Sequence, residues 1–279
     1  MVIDAHCHIM PPSFRDRRAE IAARDATFAE LLFSPDARIA SAEDLLAAME
    51  RDGVERAVAM GIGWTNYETA VEANDYIIQA VRENPQRLTG FCSVNPAWGE
   101  KAVTEALRCL KAGLTGIGEL HADTQGFEIT DAKAMTPLMN LARANDIPVL
   151  VHASEPAGHQ YPGKGETTPD RLYRFIQDFP DNAIICAHWG GGLPFYSLMP
   201  EVPDVLKNVY FDSAASPFLY SPEVFAAVSQ LAGPDKVLFA SDYPLMEISR
   251  PLKQVKNAGL SPEVEAALLS ENAARLLGL

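Results

Sequence analysis

The sequence predicts a (β/α)8 barrel, a ring of eight parallel strands in which a helix follows each strand. Eight short apolar segments alternate with amphipathic stretches through the 279 residues, and each segment is bounded by Gly, Pro or Asn. Segments of this kind are typical of strands buried on both faces, and eight strand–helix units are the number that closes a barrel. The predicted strands are residues 1–8, 57–62, 88–95, 115–120, 148–153, 183–188, 209–213 and 237–241.

An open, doubly wound sheet is the alternative fold. That fold places a glycine-rich phosphate-binding turn after its first strand. In this chain the first strand is followed by Ile-Met-Pro-Pro at 9–12, which contains no glycine. The order of segments therefore favours the barrel, and we expect residues 1–279 to form a single domain.

The stretches between the strands carry signals for helix ends. Thr168, Ser221 and Ser261 are each followed by proline and an acidic residue, the order expected for an N-cap, position N1 and the first helical turn. Ser41, followed by acidic residues, is a weaker N-cap. Glycine stands where helix C-termini are expected, at Gly53, Gly113, Gly233 and Gly259.

Two connections are longer than a minimal barrel requires, and a further helix is predicted at the C-terminus. Residues 9–40, after the first strand, form an insertion in which phenylalanines and leucines lie among arginines. This composition fits a lid, a contact with another subunit or a packed surface loop. Residues 157–166, after the fifth strand, include His159 and Tyr161, and they either cover the catalytic face or form a plain solvent loop.

Composition argues against several classes of function. The formal net charge is −14, and no cluster of Lys and Arg is available to neutralise nucleic-acid phosphates. No apolar run reaches the roughly 18 residues of a membrane span, and the N-terminus does not have the pattern of a signal peptide. The four cysteines form no CxxC pair and are expected to be reduced thiols in a cytoplasmic protein. A small-molecule substrate is compatible with this charge.

The first strand delivers two histidines to its C-terminal end. His6 and His8 are two positions apart, so they share one face of the strand while Cys7 points to the other. Two imidazoles about 6–7 Å apart along one face can converge on a single metal ion. Buried histidines bonded to backbone groups are the alternative, but similar residues at other strand ends favour the metal.

The C-terminal ends of the other strands carry histidines and carboxylates as well. Barrel enzymes have their catalytic groups at these ends. Four of the six histidines collect there together with two carboxylates, which is the strongest signal in the chain. Such side chains suit a divalent cation that lowers the pKa of bound water to about 7. The residues are His6, His8, Glu119, His152, His188 and Asp242, from strands 1, 4, 5, 6 and 8.

Each catalytic candidate has a distinct expected role. Asp242 is placed both to ligate the metal and to take the proton from the bound water. His188 is placed to polarise the substrate or to stabilise a developing oxyanion. Four neighbours of the ligands are predicted to bind the substrate, namely Trp189, Tyr243, Glu155 and His159.

Several segments resemble the amidohydrolase superfamily, and most closely its amidohydrolase 2 group of metal-dependent hydrolases and decarboxylases. The segments are Asp-Ala-His-Cys-His at 4–8, Val-Leu-Val-His-Ala at 149–153, Cys-Ala-His-Trp-Gly-Gly at 186–191, Ala-Ser-Asp-Tyr-Pro at 240–244, and the C-terminal Glu-Asn-Ala-Ala-Arg-Leu-Leu-Gly-Leu. The resemblance covers essentially the whole chain. It implies a distorted (β/α)8 barrel with one or two divalent ions, usually zinc or manganese, of which zinc is expected here.

The resemblance also implies roles for single residues. It makes His6, His8, His152 and Asp242 metal ligands, and it makes His188 catalytic or a ligand of a second metal. Members of the group that decarboxylate generally lack a metal-binding carboxylate on strand 4, whereas binuclear hydrolases have a lysine or an acid there. Glu119 is therefore expected to bind metal and to indicate hydrolysis. A rim carboxylate paired with a basic neighbour is the alternative interpretation of Glu119.

Two reactions follow from these residues. The favoured one is hydrolysis of a small lactone, amide or ester, in which metal-activated water attacks the carbonyl and Asp242 returns the proton. The alternative is non-oxidative decarboxylation of a small unsaturated or aromatic acid, with Asp242 or His188 delivering a proton to carbon. Decarboxylation requires a basic residue for the substrate carboxylate. The insertion offers Arg15, Arg17, Arg18 and Arg24, and we expect a homo-oligomer in which they could act across subunits.

Overall fold

A computed structural model describes all 279 residues and has the predicted barrel. Eight parallel strands form one sheet in sequence order, each hydrogen-bonded to the next. The ring closes between the first strand and the segment after the last, where the Ala5 amide donates to the Phe239 carbonyl at 2.9 Å and the Asp242 amide donates to the His6 carbonyl at 3.0 Å. The strands are β1 (Ile3–His8), β2 (Arg56–Met60), β3 (Leu88–Cys92), β4 (Gly116–Leu120), β5 (Val149–Val151), β6 (Ile184–Cys186), β7 (Val209–Asp212) and β8 (Val237–Leu238).

Helices surround this ring. Three short helices occupy the insertion after β1: α1 (Ser13–Asp16), α2 (Arg18–Ala22) and α3 (Ala26–Leu32). The others are α4 (Ala42–Asp52), α5 (Tyr67–Glu83), α6 (Glu100–Lys111), α7 (Ala122–Gln125), α8 (Ala132–Ala144), α9 (Pro169–Asp178), α10 (Val202–Val205), α11 (Ser216–Leu219), α12 (Glu223–Ala232), α13 (Ser249–Lys256), α14 (Pro262–Ala266) and α15 (Asn272–Leu277). No helix combines the length and the apolar character that a membrane crossing requires.

The predicted helix ends differ in how they are capped. Ser41 forms a full capping box with Asp44 at the start of α4, which makes it a stronger cap than the sequence indicates. Ser261 accepts a hydrogen bond from the third residue of α14, as predicted. Thr168 and Ser221 do not cap their helices. The Thr168 hydroxyl donates instead to the Asp170 carboxylate at 2.6 Å.

The apolar residues form an inner and an outer core. The inner core fills the barrel with residues such as Val58, Phe91 and Leu150, and α15 packs against it through Ala273. The larger outer core lies between the strands and the surrounding helices. With the barrel interior filled in this way, the polar residues are left to its C-terminal rim.

A bulge in β1 turns both histidines inward. Two successive residues, Ala5 and His6, stand opposite the single residue Val58 of β2. The extra residue keeps Ala5 in the inner core while His6 and His8 also reach the interior, and Cys7 packs in the outer core as predicted. Bulges are frequent beside functional sites because they re-aim a side chain in this way.

A second bulge in β4 does the same for Glu119. Gly118 and Glu119 together stand opposite Leu150 of β5. The φ angle of Gly118 is +147°, and a Cβ at this position would lie 2.7 Å from the Leu150 carbonyl oxygen. Only glycine fits this approach of the two backbones. The glycine of Gly-Ile-Gly-Glu is thus what lets the carboxylate enter the barrel.

Gly118→Ala is expected to lower the free energy of unfolding by about 1–3 kcal/mol, because the added methyl group collides with backbone rather than with a movable side chain. Urea denaturation measures this loss. Gly126→Ala is the matched control, since Gly126 also has a positive φ, +72°, but has nothing within 4 Å of an added Cβ. Equal losses in the two variants would contradict a steric role for Gly118.

The insertion has a packed part and a part that faces the barrel rim. Phe14 and Phe28 pack around Trp64, with ring centroids 5.9 and 6.3 Å from the indole. Leu31 and Leu32 instead line the cavity at the C-terminal end of the strands. Of the three interpretations of this segment, a packed loop and a cover over the site each describe one part of it.

A buried carboxylate fixes the insertion to the barrel. One oxygen of Asp25 accepts the Phe28 amide of α3 at 2.9 Å, and the other accepts the amides of Thr65 and Asn66, both at 2.8 Å. Asp25 therefore joins α3 to the turn that follows β2.

Candidate active site

A cavity of about 450 Å³ opens at the C-terminal ends of the strands. Its walls are mainly apolar and come from the insertion, from the loop after β5 and from α11. Its base is polar. The residues at the base are His8, Glu119, His121, His152, His188 and Asp242, and His6 is fully buried beside them.

His6, His8 and Glu119 form one group of candidate metal ligands. The Nε2 atoms of His6 and His8 are 3.1 Å apart, and each is 3.7 Å from Oε2 of Glu119. The other ring nitrogens are engaged: Nδ1 of His6 contacts Oδ2 of Asp212 at 2.9 Å, and Nδ1 of His8 contacts the Gly61 carbonyl at 3.0 Å. With protons on Nδ1, both Nε2 lone pairs are directed at the same point.

Glu119, His152 and His188 form a second group. Oε1 of Glu119 lies 2.9 Å from Nδ1 of His152 and 3.5 Å from Nε2 of His188, and these two nitrogens are 3.1 Å apart. Nδ1 of His188 contacts the Ala214 carbonyl at 3.1 Å. Glu119 thus connects the two groups, with one carboxylate oxygen toward each.

The donor spacing fits a metal ion. Two nitrogens that are each about 2.1 Å from one ion, at about 90–110° to each other, lie about 3.0–3.4 Å apart. The separation of 3.1 Å between the Nε2 atoms of His6 and His8 is in this range. Asp242 adds a carboxylate oxygen 3.2 Å from Nε2 of His8. Imidazole and carboxylate donors of this kind suit a divalent ion such as zinc or manganese.

Charge and burial oppose each other in the deepest part of the site. Burial disfavours the imidazolium of His6, but the carboxylates of Asp212 and Glu119 outweigh it and raise the pKa of His6 well above its usual value. Burial likewise opposes ionisation of Glu119, but its contacts with His152 and other histidines lower the pKa of this carboxyl well below the usual value. The group therefore combines an ionised carboxylate with imidazoles, and the negative charge of the carboxylate attracts a positive charge to this position.

The two catalytic candidates are shifted in opposite directions. Burial would raise the pKa of Asp242, but the hydrogen bond with His8 and nearby imidazoles lower it to about 2. Burial would lower the pKa of His188, but the hydrogen bond with Glu119 and the charge of Asp242 raise it to about 9. Such perturbed pKa values in a cavity are typical of functional residues.

The turn after β6 has an unusual backbone that changes the expected role of Trp189. The φ angles of His188 and Trp189 are +54° and +60°, and that of Asp242 is +65°. Positive φ is uncommon outside glycine, and strained residues of this kind cluster at functional sites. In this turn it directs Trp189 away from the cavity. The Trp189 indole instead donates to the Ser216 hydroxyl at 3.0 Å and packs on Phe225. The structure therefore does not place Trp189 in the lining of the cavity, where it was predicted.

The other three predicted substrate-binding residues are only partly at the cavity. His159 lines it. Tyr243 is buried outside the lining, beneath the guanidinium of Arg38, which is 5.5 Å from its ring centroid. Glu155 lines a separate polar groove and accepts a hydrogen bond from the Tyr161 hydroxyl at 2.8 Å. Its carboxylate is used to hold the loop after β5, so the prediction for Glu155 is not met by the geometry.

The arginine that lines the cavity is not one of the four predicted from the sequence. Arg38, at the end of the insertion, is part of the lining. Arg18 instead donates to backbone carbonyls within the insertion. The other three predicted arginines are held in ion pairs with acidic residues, and they are Arg15, Arg17 and Arg24.

Two further residues have larger roles than the sequence indicates. Asp212, at the end of β7, orients His6 with one oxygen and accepts the His188 amide at 3.0 Å with the other. His121, just after β4, is buried and stacks on His152 with ring centroids 3.8 Å apart. The position of Asp212 at a strand end was a signal for its role, whereas the inward direction of His121 depends on the bulge in β4.

Comparison with known proteins begins with a family model described as Amidohydrolase, which matches residues 3–279. The 2-amino-3-carboxymuconate-6-semialdehyde decarboxylase of Dictyostelium discoideum is 24% identical, with 99% of this chain and 91% of that protein covered. The gamma-resorcylate decarboxylase of Polaromonas is also 24% identical, with 70% of this chain and 71% of that protein covered.

Solved structures with the same fold include two decarboxylases. The 5-carboxyvanillate decarboxylase of Sphingomonas paucimobilis has a TM-score of 0.80 at 17% identity and covers 100% of this chain and 99% of its own. A dihydroxybenzoic acid decarboxylase of Polaromonas, with bound manganese and 2-nitroresorcinol, has a TM-score of 0.72 at 20% identity and covers 100% and 97%.

These matches overturn the expected hydrolysis. The curated relatives are decarboxylases, and so are the two solved structures, whereas the sequence favoured a hydrolase on the basis of Glu119. Glu119 on strand 4 therefore does not by itself identify the reaction. The family resemblance itself is confirmed by the match over nearly the whole chain.

Proposed function

Since the chain belongs to the amidohydrolase family, we propose that it is a metal-dependent decarboxylase of a small aromatic or unsaturated carboxylic acid. The observation that carries the proposal is Arg38 on the wall of the cavity that holds the candidate metal ligands. A decarboxylase needs a cation for the substrate carboxylate, and a guanidinium pairs with carboxylate through two parallel hydrogen bonds. Arg38 also pairs with Glu247, but its five N–H donors leave others free for the substrate.

The walls suit a flat, apolar body. Met10, Ile62 and Leu219 line the cavity together with other aliphatic side chains, and the volume of about 450 Å³ is in the range of small-ligand sites. An aromatic acid would be held between these walls with its carboxylate at Arg38. The curated relatives named above act on carboxylated arenes or muconates, which supports this substrate class.

We propose that a divalent ion is held by His6, His8 and Glu119, with Asp242 and His152 as the remaining ligands. When bound, such an ion would orient the substrate and stabilise negative charge on its oxygen atoms. The harder carboxylate donors, together with the manganese bound in the Polaromonas structure, favour manganese over the zinc expected from the sequence. Elemental analysis of protein purified without chelator distinguishes the two metals.

His188 is proposed to carry the proton. Loss of CO2 breaks the bond between the substrate carbon and its carboxylate, leaves the electron pair on carbon and requires one proton there. His188 lines the cavity, and its ring nitrogens face the Ala214 carbonyl and a Glu119 oxygen, which are acceptors for both protons of an imidazolium. His188 begins the turn after β6 and is buried there, which limits the orientations open to its ring.

The proposal is tested with manganese-loaded protein and three carboxyl-labelled acids: gamma-resorcylate, 5-carboxyvanillate and 6-methylsalicylate. We expect labelled CO2 from at least one of them, with deuterium at the former carboxylate position when the reaction is run in D2O. A parallel assay with lactones and esters in ¹⁸O-water detects hydrolysis. Label in a hydrolysed product without CO2 from any acid would refute the decarboxylase.

Arg38→Gln is expected to raise KM for the substrate about 10- to 100-fold, because a charge-assisted hydrogen bond to a carboxylate contributes about 1.5–3 kcal/mol. Steady-state kinetics with the best acid of the series measures the change. Arg24→Gln is the matched control, since Arg24 lies in the same insertion but pairs only with surface acids. An equal KM in the Arg38 variant and the control would remove Arg38 from the substrate site.

A further inference from the structure

His121 is the one buried histidine of the site whose ring has no hydrogen-bond partner. The histidines at 6, 8, 152 and 188 each contact a carboxylate, a carbonyl or one another. Both ring nitrogens of His121 are buried without any partner, and the residue is only 1% exposed. A neutral imidazole has one N–H donor and one acceptor, and leaving them unused when buried costs free energy. A buried polar group without a partner in a native protein therefore requires a specific explanation.

The ring is held in place although its nitrogens are free. It stacks on His152 with an angle of 10° between the planes. Its edge faces the loop after β5, where a Cβ on Gly163 would lie only 3.4 Å from Nε2. His121 is also one of the residues that line the cavity, so a molecule bound there lies beside the ring. The protein therefore fixes this imidazole without using its hydrogen-bonding capacity.

His121 and Arg38 lie on opposite sides of the cavity. The Arg38 guanidinium packs over Tyr243, which follows β8, whereas His121 follows β4. Strands 4 and 8 are four positions apart in a ring of eight, which is half of its circumference. A molecule whose carboxylate is at Arg38 therefore extends its other end toward His121.

We propose that His121 is a specificity residue that hydrogen-bonds a hydroxyl or carbonyl group at the end of the substrate away from its carboxylate. The inference rests on the proposed decarboxylase function and narrows its substrate class to hydroxy- or oxo-substituted acids. A hydroxyl group both donates and accepts, so it matches either tautomer of the ring. A methyl group in the same place would leave the imidazole unsatisfied, which is how buried polar groups reject apolar analogues.

The test measures binding without turnover. Nitroarenes, in which a nitro group replaces the carboxylate, are titrated calorimetrically into manganese-loaded protein. Each compound of the series has one hydroxyl group, placed at a different ring position, and is paired with a compound that has a methyl group at the same position. We expect at least one position where the hydroxyl compound binds about tenfold more tightly than its methyl counterpart. His121→Phe keeps an aromatic ring against His152 but has no polar edge, and we expect this preference to fall below about twofold.

Further measurements separate this role from a structural one. Metal content and melting temperature of His121→Phe show whether the site is intact, and His121→Gln, which restores a donor and an acceptor, is expected to regain part of the preference. A hydroxyl-to-methyl ratio that is the same in the wild type and in His121→Phe overturns the proposal, as does a lack of binding by the whole series. Since no bond is broken in this assay, absence of CO2 release would refute the proposed function without deciding the role of His121.

Discussion

Replacing His188 by asparagine is expected to lower kcat for CO2 release by about 10³-fold while metal content and fold are retained. General acid groups contribute about 10²- to 10⁴-fold to a rate, and asparagine cannot deliver a proton. The substitution is compatible with the backbone, because His188 has φ of +54° and asparagine tolerates this region better than most residues. Rapid-mixing assays of labelled CO2, with metal analysis of the same sample, measure the outcome.

A second variant distinguishes proton transfer from packing. Glycine adopts the left-handed backbone freely, so His188→Gly leaves a space at the position of the ring. Added imidazole is expected to restore part of the rate in that variant and none in the wild type. An asparagine variant with unchanged kcat would exclude His188 as the proton carrier. The role would then pass to Asp242, and Asp242→Asn can be compared with Asp146→Asn, an exposed position that also has a positive φ, +53°.

His6→Ala is expected to remove nearly all bound metal and all detectable turnover together. The His6 ring is fully buried with its Nε2 3.1 Å from that of His8, so its removal takes away one of the two paired nitrogen donors. Chelation of the wild type should have the same effect, but reversibly on adding manganese. His159→Ala is the control for metal binding, because His159 lines the cavity but belongs to neither group of candidate ligands. A His6 variant that retains metal and activity would contradict the ligand assignment.

The effect of manganese on Tm is also expected to differ between His6→Ala and the wild type. Ligand at a hundredfold excess over its Kd stabilises the folded state by about 2.7 kcal/mol. For a protein of this size that corresponds to an increase in Tm of about 5 °C. We expect manganese to produce this increase in the wild type and to leave the Tm of His6→Ala unchanged.

The fold and most ligand candidates could be predicted because they depend on strand ends. In a ring of parallel strands every C-terminal end lies at the same rim, so a histidine or an acid there is brought near the others whatever the loops do. His152, His188 and Asp242 meet on this basis. The division of the candidate ligands into two groups that share Glu119 could not be predicted, because it depends on the positions of the bulges in β1 and β4.

The residues around the ligands were less predictable because their direction is set by tertiary contacts. Trp189 is adjacent to His188 in sequence, yet a left-handed turn sends it to the opposite side. Arg38 reaches the cavity only because the rest of the insertion is packed against the barrel, and no periodicity marks it among the other arginines. The prediction of hydrolysis was wrong for a related reason. The presence of an acid on strand 4 does not determine which reaction the surrounding site catalyses.

The carboxylate of Asp25 has a consequence for how a substrate enters. It ties the middle of the insertion to the turn after β2, and the amide of Met10 is bonded to the Ala40 carbonyl at 2.8 Å on the far side. Between these two attachments, residues 33–36 and Arg38 are exposed to solvent. The Arg18 guanidinium donates to the carbonyls of Leu32, Ser34 and Ala37, so we expect passage in and out to require a local swing of this stretch that breaks these hydrogen bonds. Arg38, whose guanidinium is proposed to bind the substrate carboxylate, lies in the same stretch and would move with it.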